Sequence, residues 1–370
     1  MKVLQITAHY NPNIGGVETH LEDLVSALAI RKHEVFVLTY QPLQTKAEWK
    51  IFERKNNIKI LRIPWIPGLF YRLIDKPILE FLYLLPGIFV TAPIVILFER
   101  PEVLHAHGIV AGVVAMMWGK IFGVRSVIST HNIYNFPDSG LYRRFVDWIF
   151  NNVDHVLCLS SQSAGEIRNI VKDKNKVGIF TSWVDLNRFK PMSKSVAKKE
   201  LNWKSKFSVL FVGRLVKEKG VLILDEAAFE LKKQNITVYV AGSGPEFRNI
   251  KNCVLSGSIS QARLPLYYNA ADLLIVPSIH DEGFGRVILE ALACGTPVVA
   301  ANRGAIPEAM NDTVGKLIEI TPTNIKNSIE YFCKNPHKLE ELSKNARDFA
   351  QKRYGSSNVE KIISSYINNR

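Results

Sequence analysis

The 370-residue chain has few cysteines, and the four that it has are scattered without a C-x-x-C pair (Cys158, Cys253, Cys294 and Cys333). This spacing argues against a disulfide framework or a zinc site and favours a reducing cytoplasm. The first residues, MKVLQITA, lack the length and the cleavage pattern of a signal peptide, and we interpret them as a β-strand. Zinc-finger spacing, RNP-like aromatic motifs and a basic helix are also lacking, so we expect no nucleic-acid partner.

Acidic residues are outnumbered. The chain has 34 Asp and Glu residues against 47 Lys and Arg residues, and its net charge of +13 is not confined to one half. A basic balance suits anionic partners. With nucleic acid disfavoured, the remaining candidates are polyanionic small molecules and membrane surfaces. The hydrophobic fraction of 47% is sufficient for large buried cores, and the length is natural for two domains.

Short apolar runs alternate with helical patterns along most of the chain. The first run, Lys2–Thr7, precedes a glycine-containing loop, a helical pattern over Glu18–Ala29 and a second run at Val35–Thr39. This order is typical of a parallel sheet with crossover helices. The pattern pauses in the polar, Lys-rich stretch Val184–Lys206 and resumes at Ser208–Val212. We therefore predict an α/β protein with two Rossmann-like, doubly wound domains joined near residue 190.

Residues 64–98 interrupt this rhythm. Ile78–Phe98 holds one charge, Glu80, and is long enough to cross a membrane. It follows aromatic and basic residues, namely Trp65, Phe70, Tyr71, Arg72 and Lys76. A span would put strands of one sheet on opposite sides of a bilayer, and Pro86, Gly87 and Pro93 suggest broken helices. The open interpretations are one or two buried helices and a monotopic docking surface with basic flanks; the topology argues against a true span.

Two carboxylates eight positions apart, Glu282 and Glu290, form the most specific motif. Glu282 follows the predicted strand Leu273–Val276, and Gly283-Phe284-Gly285 separates it from a helix predicted to begin near Arg286. The glycines let backbone amides approach a ligand closely, and the helix N-terminus suits an anion such as a diphosphate. Glu290, one turn into the helix, can accept hydrogen bonds from vicinal hydroxyls.

This segment resembles the E-x7-E motif of retaining glycosyltransferases with the GT-B fold, family 4. Further motifs follow in the family's order over nearly the whole chain: Gly15–Glu18, His105–Gly108, Thr130–Asn132, Val212–Gly220, Ala241–Pro245 and Gly304–Glu308. The resemblance implies that the two domains face a central cleft. Residues 1–188, with a crossover helix at 355–370, are then the acceptor-side domain, and residues 189–354 are the nucleotide-sugar-binding domain.

Arg214 and Lys219 are a positive pair after a predicted strand of the second domain. When a sugar nucleotide is cleaved, charge develops on its β-phosphate oxygen, and two fixed cations would stabilise that leaving group. The resemblance implies that they act in place of a magnesium ion. We therefore predict catalytic roles for both residues, no metal site and no cofactor apart from the nucleotide-sugar substrate.

The resemblance also implies residues that bind the donor. They are Glu282 and the amides of Gly283, Phe284 and Gly285 for the sugar, Glu290 for the ribose, Ile259 for the base and Gly16 for the phosphate. His131 is implied to face the scissile bond, with His107 and Glu18 on the acceptor side. The alternatives are a core contact for Ile259, structural roles for the histidines and a turn role for Gly16.

These observations predict a retaining, metal-independent glycosyltransferase that moves a sugar from a UDP- or GDP-sugar to a hydroxyl acceptor. The departing phosphate is expected to take the acceptor's proton, while a nucleophilic role for Glu282 stays open. The apolar segment and the basic charge favour a lipid-linked glycan or phospholipid acceptor and a cytoplasmic, peripheral position on the inner face of the plasma membrane. The alternatives are a soluble GT-B enzyme with a small-molecule acceptor, a UDP-sugar epimerase and an inactive binding scaffold.

Overall fold

The computed structural model of the chain describes residues 1–13, 15–43, 47–66, 68–69, 73 and 76–367. The chain divides into two compact units. The N-terminal unit comprises Met1–Thr181 together with Ser357–Arg370, and the C-terminal unit comprises Ser182–Ser356. The first division thus falls shortly before residue 188, where the sequence places the end of the first domain.

The N-terminal unit is built on an eight-stranded sheet with the strand order β3-β4-β2-β1-β5-β6-β7-β8. The strands are β1 Lys2–Ile6, β2 Glu34–Tyr40, β3 Phe52–Lys55, β4 Ile58–Ile63, β5 Val103–His107, β6 Arg125–Thr130, β7 His155–Cys158 and β8 Val177–Ile179. Only the pairing of β3 with β4 is antiparallel among the described strands. The central strands are buried, which is why they form apolar runs in the sequence.

Helices cover this sheet on both faces. The first five are α1 Gly16–Ile30, α2 Pro77–Glu99, α3 Gly108–Phe122, α4 Leu141–Asn152 and α5 Ser161–Arg168. Leu4 and Ile6 of β1 belong to one core cluster with buried residues of α2, α3, α4 and α5. Successive side chains of a strand point to opposite faces, so Val3 and Gln5 point to the other face of the sheet.

Helix α2 is one continuous helix of 23 residues, although Pro86 and Pro93 lie inside it. The sequence-based expectation of broken helices was therefore wrong. Beside Pro86, the hydroxyl of Tyr40 accepts a hydrogen bond from the Ile88 amide (3.1 Å) and donates one to the carbonyl of Leu84 (2.5 Å). A side chain inserted into the helical ladder thus satisfies backbone groups beside the proline, and packing holds the helix together across it.

The C-terminal unit has a six-stranded parallel sheet with the order β11-β10-β9-β12-β13-β14. Its strands are β9 Phe207–Val212, β10 Ile236–Ala241, β11 Val254–Gly257, β12 Leu273–Val276, β13 Val298–Ala301 and β14 Gly315–Ile318. Its helices are α6 Lys194–Glu200, α7 Val221–Leu231, α8 Leu264–Ala270, α9 Arg286–Ala293, α10 Ile306–Ala309, α11 Pro322–Lys334 and α12 Pro336–Arg353. Short 3-10 helices span Lys174–Lys176, Lys217–Lys219, Lys232–Gln234, Pro245–Arg248 and Ser356–Asn358.

The direction of winding reverses in each sheet. It reverses between β1 and β5 in the N-terminal unit and between β9 and β12 in the C-terminal unit. In open parallel sheets, ligands bind outside the carboxyl ends of the strands at such a reversal. In each unit, a site is therefore expected at the loops that follow its two strands.

The last helix, α13 Val359–Ile367, belongs to the N-terminal unit. It packs against α1, β6 and β7. Arg31, the residue after α1, pairs with Glu360 (2.6 Å), and Arg125 of β6 donates a hydrogen bond to the carbonyl of Ser365 (2.8 Å). Helix α13 thus covers the face of the sheet to which Gln5 points.

Candidate active site

The loop after β12 brings Glu282 onto Lys219, which ends the 3-10 helix that follows β9. The Lys219 ammonium forms an ion pair and a hydrogen bond with Oε1 of Glu282. The Ser278 hydroxyl donates a second hydrogen bond to the same oxygen (2.5 Å). Burial by itself would raise the pKa of the Glu282 carboxyl, but the charge of Lys219 and the two hydrogen bonds outweigh it, and the net pKa is lowered. Glu282 is therefore ionised at neutral pH and acts as a hydrogen-bond acceptor.

Backbone contacts hold these two loops together. The Ile279 amide donates to the Glu218 carbonyl (2.9 Å), and Nδ1 of His280 lies 3.0 Å from the same oxygen. Gly220 has φ +66°, and a Cβ there would lie 1.9 Å from the carbonyl oxygen of Pro277. Only glycine satisfies both the positive φ and the close approach. The position of Lys219 beside Glu282 is thus set by the backbone on both sides of the pair.

A third loop, after β13, contacts the backbone of Glu282. The Ala305 amide donates to the Glu282 carbonyl (3.0 Å). Gly304 has φ +57°, and a Cβ there would lie 2.7 Å from the Glu282 amide nitrogen. The Gly304-Ala305 segment, which follows the E-x7-E helix in the sequence, therefore supports the backbone of the first glutamate.

Glu290 lies in α9 and is 2% exposed. Its Oε2 accepts a hydrogen bond from the Tyr268 hydroxyl (2.8 Å), and its Oε1 pairs with Nε of Arg286 (3.2 Å) one turn earlier in the helix. Burial first, and then the Glu290 charge, raise the pKa of Tyr268 well above its ordinary value, so its hydroxyl stays protonated and donates. The hydrogen bonds that Glu290 is expected to accept from a ribose stay a prediction.

Gly283, Phe284 and Gly285 connect the two glutamates. The Phe284 ring is buried and meets Tyr354 edge-on, with centroids 6.0 Å apart. Gly285 has φ +78° and is the residue before the first turn of α9. The side chain of Phe284 therefore packs in the core, and the binding of the donor sugar by the backbone amides of this segment stays a prediction.

The two predicted cations differ in their surroundings. Lys219 is paired with Glu282, whereas Arg214 is exposed and has no hydrogen bond or ion pair within the part of the chain that the structure describes. Ile259 follows β11 and is partly exposed. It lies outside the described core clusters, which is compatible with the predicted contact to a base.

The N-terminal unit gathers the other predicted residues near the carboxyl ends of β1, β5 and β6. Gly16 is the first residue of α1, and a Cβ there would meet nothing within 4 Å. Glu18 is buried, and its carboxylate lies against the position that a Cβ at Gly15 would take. His107 and His131 are buried and share a hydrogen bond of 3.0 Å.

Several residues in these arrangements were not predicted from the sequence. They are Ser278, Tyr268, Gln5, His105 and Tyr366. A polar residue in a buried strand, such as Gln5 in KVLQI, is the one signal that could have been used, because a buried polar group requires a partner. Among the described residues, no group of three or more His, Cys, Asp or Glu side chains could hold a metal ion. Metal independence stays a prediction.

Two family models match the chain. Glycosyltransferase Family 4 matches residues 14–188, and Glycosyl transferases group 1 matches residues 193–349. D-inositol 3-phosphate glycosyltransferase 2 of Catenulispora acidiphila is 29% identical over 69% of this chain and 68% of its own length. A phosphatidylinositol N-acetylglucosaminyltransferase subunit of Arabidopsis thaliana is 25% identical over 89% of this chain and 74% of its own length.

Solved structures share the whole architecture. Sucrose-phosphate synthase from Thermosynechococcus elongatus superposes with a TM-score of 0.83 at 21% identity, over 99% of this chain and 98% of its own. The Anabaena protein HepE, in complex with UDP and glucose, superposes with a TM-score of 0.76 at 20% identity, over 100% of both chains. These likenesses establish the two-domain α/β fold that the sequence predicts.

Proposed function

Because the chain belongs to the glycosyltransferases of Family 4 and group 1, and is therefore an enzyme, we propose that it transfers a sugar from a UDP- or GDP-sugar to a hydroxyl acceptor. We propose further that the transfer retains the anomeric configuration and needs no metal ion. The acceptor is a lipid-linked glycan or a phospholipid headgroup at the cytoplasmic face of the membrane.

The observation that carries this proposal is the ion pair of Glu282 with Lys219, together with the hydrogen bond that Ser278 donates to Glu282. An ionised carboxylate at the end of a strand accepts hydrogen bonds from donor-sugar hydroxyls. A lysine ammonium has three donors, so Lys219 retains two beyond its bond to Glu282. These donors, together with the exposed guanidinium of Arg214, are available to the diphosphate, where charge develops as the bond breaks.

Retention of configuration follows if the departing phosphate oxygen and the incoming acceptor oxygen lie on the same face of the sugar. In this step the bond from the anomeric carbon to the phosphate oxygen breaks, and the bond to the acceptor oxygen forms on the same face. The acceptor's proton passes to the departing phosphate. Burial lowers the pKa of His131 to about 4, so this histidine is neutral at pH 7 and contributes hydrogen bonding instead of an acidic proton.

The names of the relatives guide the choice of acceptor. One relative is named for inositol 3-phosphate, a small molecule, and the other for phosphatidylinositol, a lipid. Both acceptors present ring hydroxyls next to a phosphate. The basic net charge of +13 favours such an anionic acceptor. The lipid form is the one proposed here, because α2 gives the N-terminal unit, the predicted acceptor-side domain, an exposed apolar surface.

The first experiment identifies the donor and tests Glu282. A thermal-shift panel of UDP, GDP and their sugars ranks donors, since a ligand stabilises the folded state according to its affinity. Transfer from the best donor is then measured with phosphatidylinositol vesicles and with free inositol 3-phosphate. Glu282→Gln is expected to lower kcat/KM by about 100-fold or more. The control is Asp281→Asn, which removes the neighbouring carboxylate and its ion pair with Arg303 (2.9 Å). Equal activities of the two variants would refute the role of Glu282.

Helix α2 supports the membrane part of the proposal. One face is buried in the core, and the other exposes an apolar residue at about every fourth position: Ile78, Leu82, Pro86, Val90, Ile94 and Phe98. The helix is long and apolar enough to cross a membrane, with 39% of its most apolar window buried. An exposed helix face in water is ordinarily polar. Of the aromatic and basic residues expected to flank it, Phe70, Tyr71 and Arg72 lie outside the described residues.

Vesicle sedimentation tests this surface. The protein is expected to sediment with vesicles of phosphatidylcholine and phosphatidylglycerol at low salt. Changing Val90 and Ile94 together to glutamate should weaken binding by about tenfold or more, because two apolar side chains no longer enter the lipid and two anions face it. Phe229→Glu, at a residue that is 56% exposed in the C-terminal unit, is the control. If the Val90 and Ile94 double variant and the Phe229→Glu control both bind vesicles as the wild type does, α2 is not the docking surface.

A further inference from the structure

A continuous chain of side-chain hydrogen bonds runs through the N-terminal unit to His131. Its members are buried and come from β1, β5, β6, the residue after β6, and α13: Ser129, His105, Tyr366, Gln5, His107 and His131. The residues that this chain joins are far apart in sequence, with Gln5 and Tyr366 separated by 361 positions. The chain ends at the histidine for which the family resemblance implies a place beside the scissile bond.

The three histidines of this hydrogen-bonded network, His105, His107 and His131, are neutral at pH 7. Burial lowers the pKa of His131 to about 4 and, with the neighbouring histidines, that of His105 to about 3. Burial, together with the neighbouring His105, His131 and His20, holds the pKa of His107 well below its ordinary value. A neutral imidazole has one N–H donor and one acceptor nitrogen. A bond made at one nitrogen therefore fixes what the other nitrogen can do.

The orientation of Gln5 sets the direction of every bond. Its Oε1 can only accept, so the Nε2 of His107 (2.7 Å) carries the proton. The Nδ1 of His107 is then the acceptor, and the Nε2 of His131 (3.0 Å) must donate to it. His131 is left with an unprotonated Nδ1, which is bonded by none of the residues that the structure describes.

Tyr366 holds Gln5 in this orientation. The amide nitrogen of Gln5 donates to the Tyr366 hydroxyl (3.3 Å). That hydroxyl donates its own proton to Nδ1 of His105 (2.6 Å), and Nε2 of His105 donates to Ser129 (2.7 Å). Without the hydroxyl, the Gln5 amide nitrogen loses the acceptor that it has in this orientation, and the reversed orientation of the amide would move the His131 proton from Nε2 to Nδ1.

We propose that Gln5 and Tyr366 are positioning residues that hold His131 as the Nε2–H tautomer, so that its bare Nδ1 accepts a hydrogen bond from a hydroxyl of the donor sugar. This inference rests on the proposed function for the identity of the ligand, but the tautomer itself is a property of the free protein. A histidine in the other tautomer would present N–H and would instead favour an acceptor atom of the ligand. The hydrogen-bonded network thus determines whether His131 binds a donor or an acceptor atom of the sugar.

Nitrogen NMR on the full-length protein with labelled histidine tests the tautomer without any substrate. The His131 signals are assigned from a His131→Asn variant. In the wild type we expect Nε2–H only. In Tyr366→Phe we expect a mixture of both tautomers. Tyr83→Phe is the matched control, because it removes another hydroxyl in the same unit, one that donates to the Ile66 carbonyl (2.5 Å) and bonds none of the members of this network. It should leave His131 unchanged.

The activity readout is separate from the NMR result. UDP release from UDP-N-acetylglucosamine and from UDP-glucose is measured for both variants, and circular dichroism confirms that both are folded. Tyr366→Phe should lower kcat/KM by about tenfold, which corresponds to one hydrogen bond, and Tyr83→Phe should leave it unaltered. An Nδ1–H tautomer in the wild type, or an unchanged tautomer in Tyr366→Phe, overturns the proposal. Absence of turnover with either donor bears on the proposed donors and leaves the NMR result standing.

Discussion

Glu282 and Glu290 belong to one motif, but their carboxylates are held differently. Glu282 is held by a lysine from another loop and by a serine four positions before it. Glu290 is held by an arginine in its own helix and by a tyrosine of α8. A flexible lysine with spare donors allows Glu282 to exchange partners when a ligand arrives. The rigid, buried setting of Glu290 suits a group whose position does not change.

Lys219→Met is predicted to destabilise the protein in a pH-dependent way. Above pH 4.5, the ordinary pKa of Glu282, the wild type has the full stabilisation of the ion pair, and loses it as the pH falls through the lowered pKa. In the variant, the hydrogen bond from Ser278 remains but the charge of Lys219 no longer opposes burial, so the pKa of Glu282 rises and the penalty for the charged carboxylate shrinks as the pH falls. The free energy of unfolding should drop by roughly 3 kcal/mol at pH 7, and the deficit should narrow toward pH 4.

Urea unfolding at several pH values measures this deficit. Lys217→Met serves as the control, because Lys217 lies in the same 3-10 helix but is exposed and has no ion pair among the described residues. Its effect should be small and independent of pH. A Lys219→Met deficit that stays constant from pH 7 to pH 4 would show that Glu282 does not titrate as argued.

At the scale of single elements, Gly87→Ala in α2 is predicted to destabilise the fold. Alanine is the better helix former, but its Cβ would lie 2.6 Å from the Tyr40 hydroxyl oxygen that is inserted into the helix. Displacing Tyr40 breaks its bonds to Leu84 and Ile88. We expect a loss of about 1–3 kcal/mol in the free energy of unfolding, measured by urea denaturation.

The same substitution at Gly165 in α5 provides the control. A Cβ there would meet nothing within 4 Å. Gly165→Ala should therefore raise the free energy of unfolding by about 0.5–1 kcal/mol, the usual gain for removing a glycine from a helix. Stabilisation by both substitutions would mean that Tyr40 does not interrupt the ladder of α2.

Helix α2 also shows which parts of the fold could be predicted from the sequence. Its existence and length follow from its apolar run, as the strands follow from theirs. Its continuity through Pro86 does not, because the compensating hydroxyl belongs to Tyr40, 44 positions before Leu84. The candidate site likewise has a part that the sequence could predict and a part that it could not. The motif identified Glu282 and Lys219 separately, but their ion pair joins loops 63 positions apart, and local patterns carry no signal for such a pair.

At the scale of the whole molecule, the N-terminal unit is assembled from both ends of the chain. Helix α13 contributes Tyr366 to its polar chain and covers apolar surface on α1, β6 and β7. Deleting residues 357–370 should therefore destabilise the N-terminal unit and leave the C-terminal unit intact. Hydrogen exchange with mass spectrometry is the suitable measurement, since it reports the protection of each segment.

In the deletion variant, peptides from α1, β6 and β7 should exchange at least about tenfold faster, because the loss of a packed helix exposes their surface. Peptides from β9, β12 and α9 should keep the protection of the full-length protein. The internal control is α11, which packs on α7 and α12 in the C-terminal unit. Equal loss of protection in both units would show that α13 stabilises more than its own domain.

The return of α13 has a consequence for synthesis on the ribosome. Domains generally fold as units and in the order in which they emerge, the N-terminal one first. Here the C-terminal unit, Ser182–Ser356, is continuous and is translated before α13. The nascent N-terminal unit must wait with Gln5, His105 and His107 uncovered until Tyr366 leaves the exit tunnel. The domain that is made first is therefore the last to be finished, and it is the one that would benefit from a chaperone during translation.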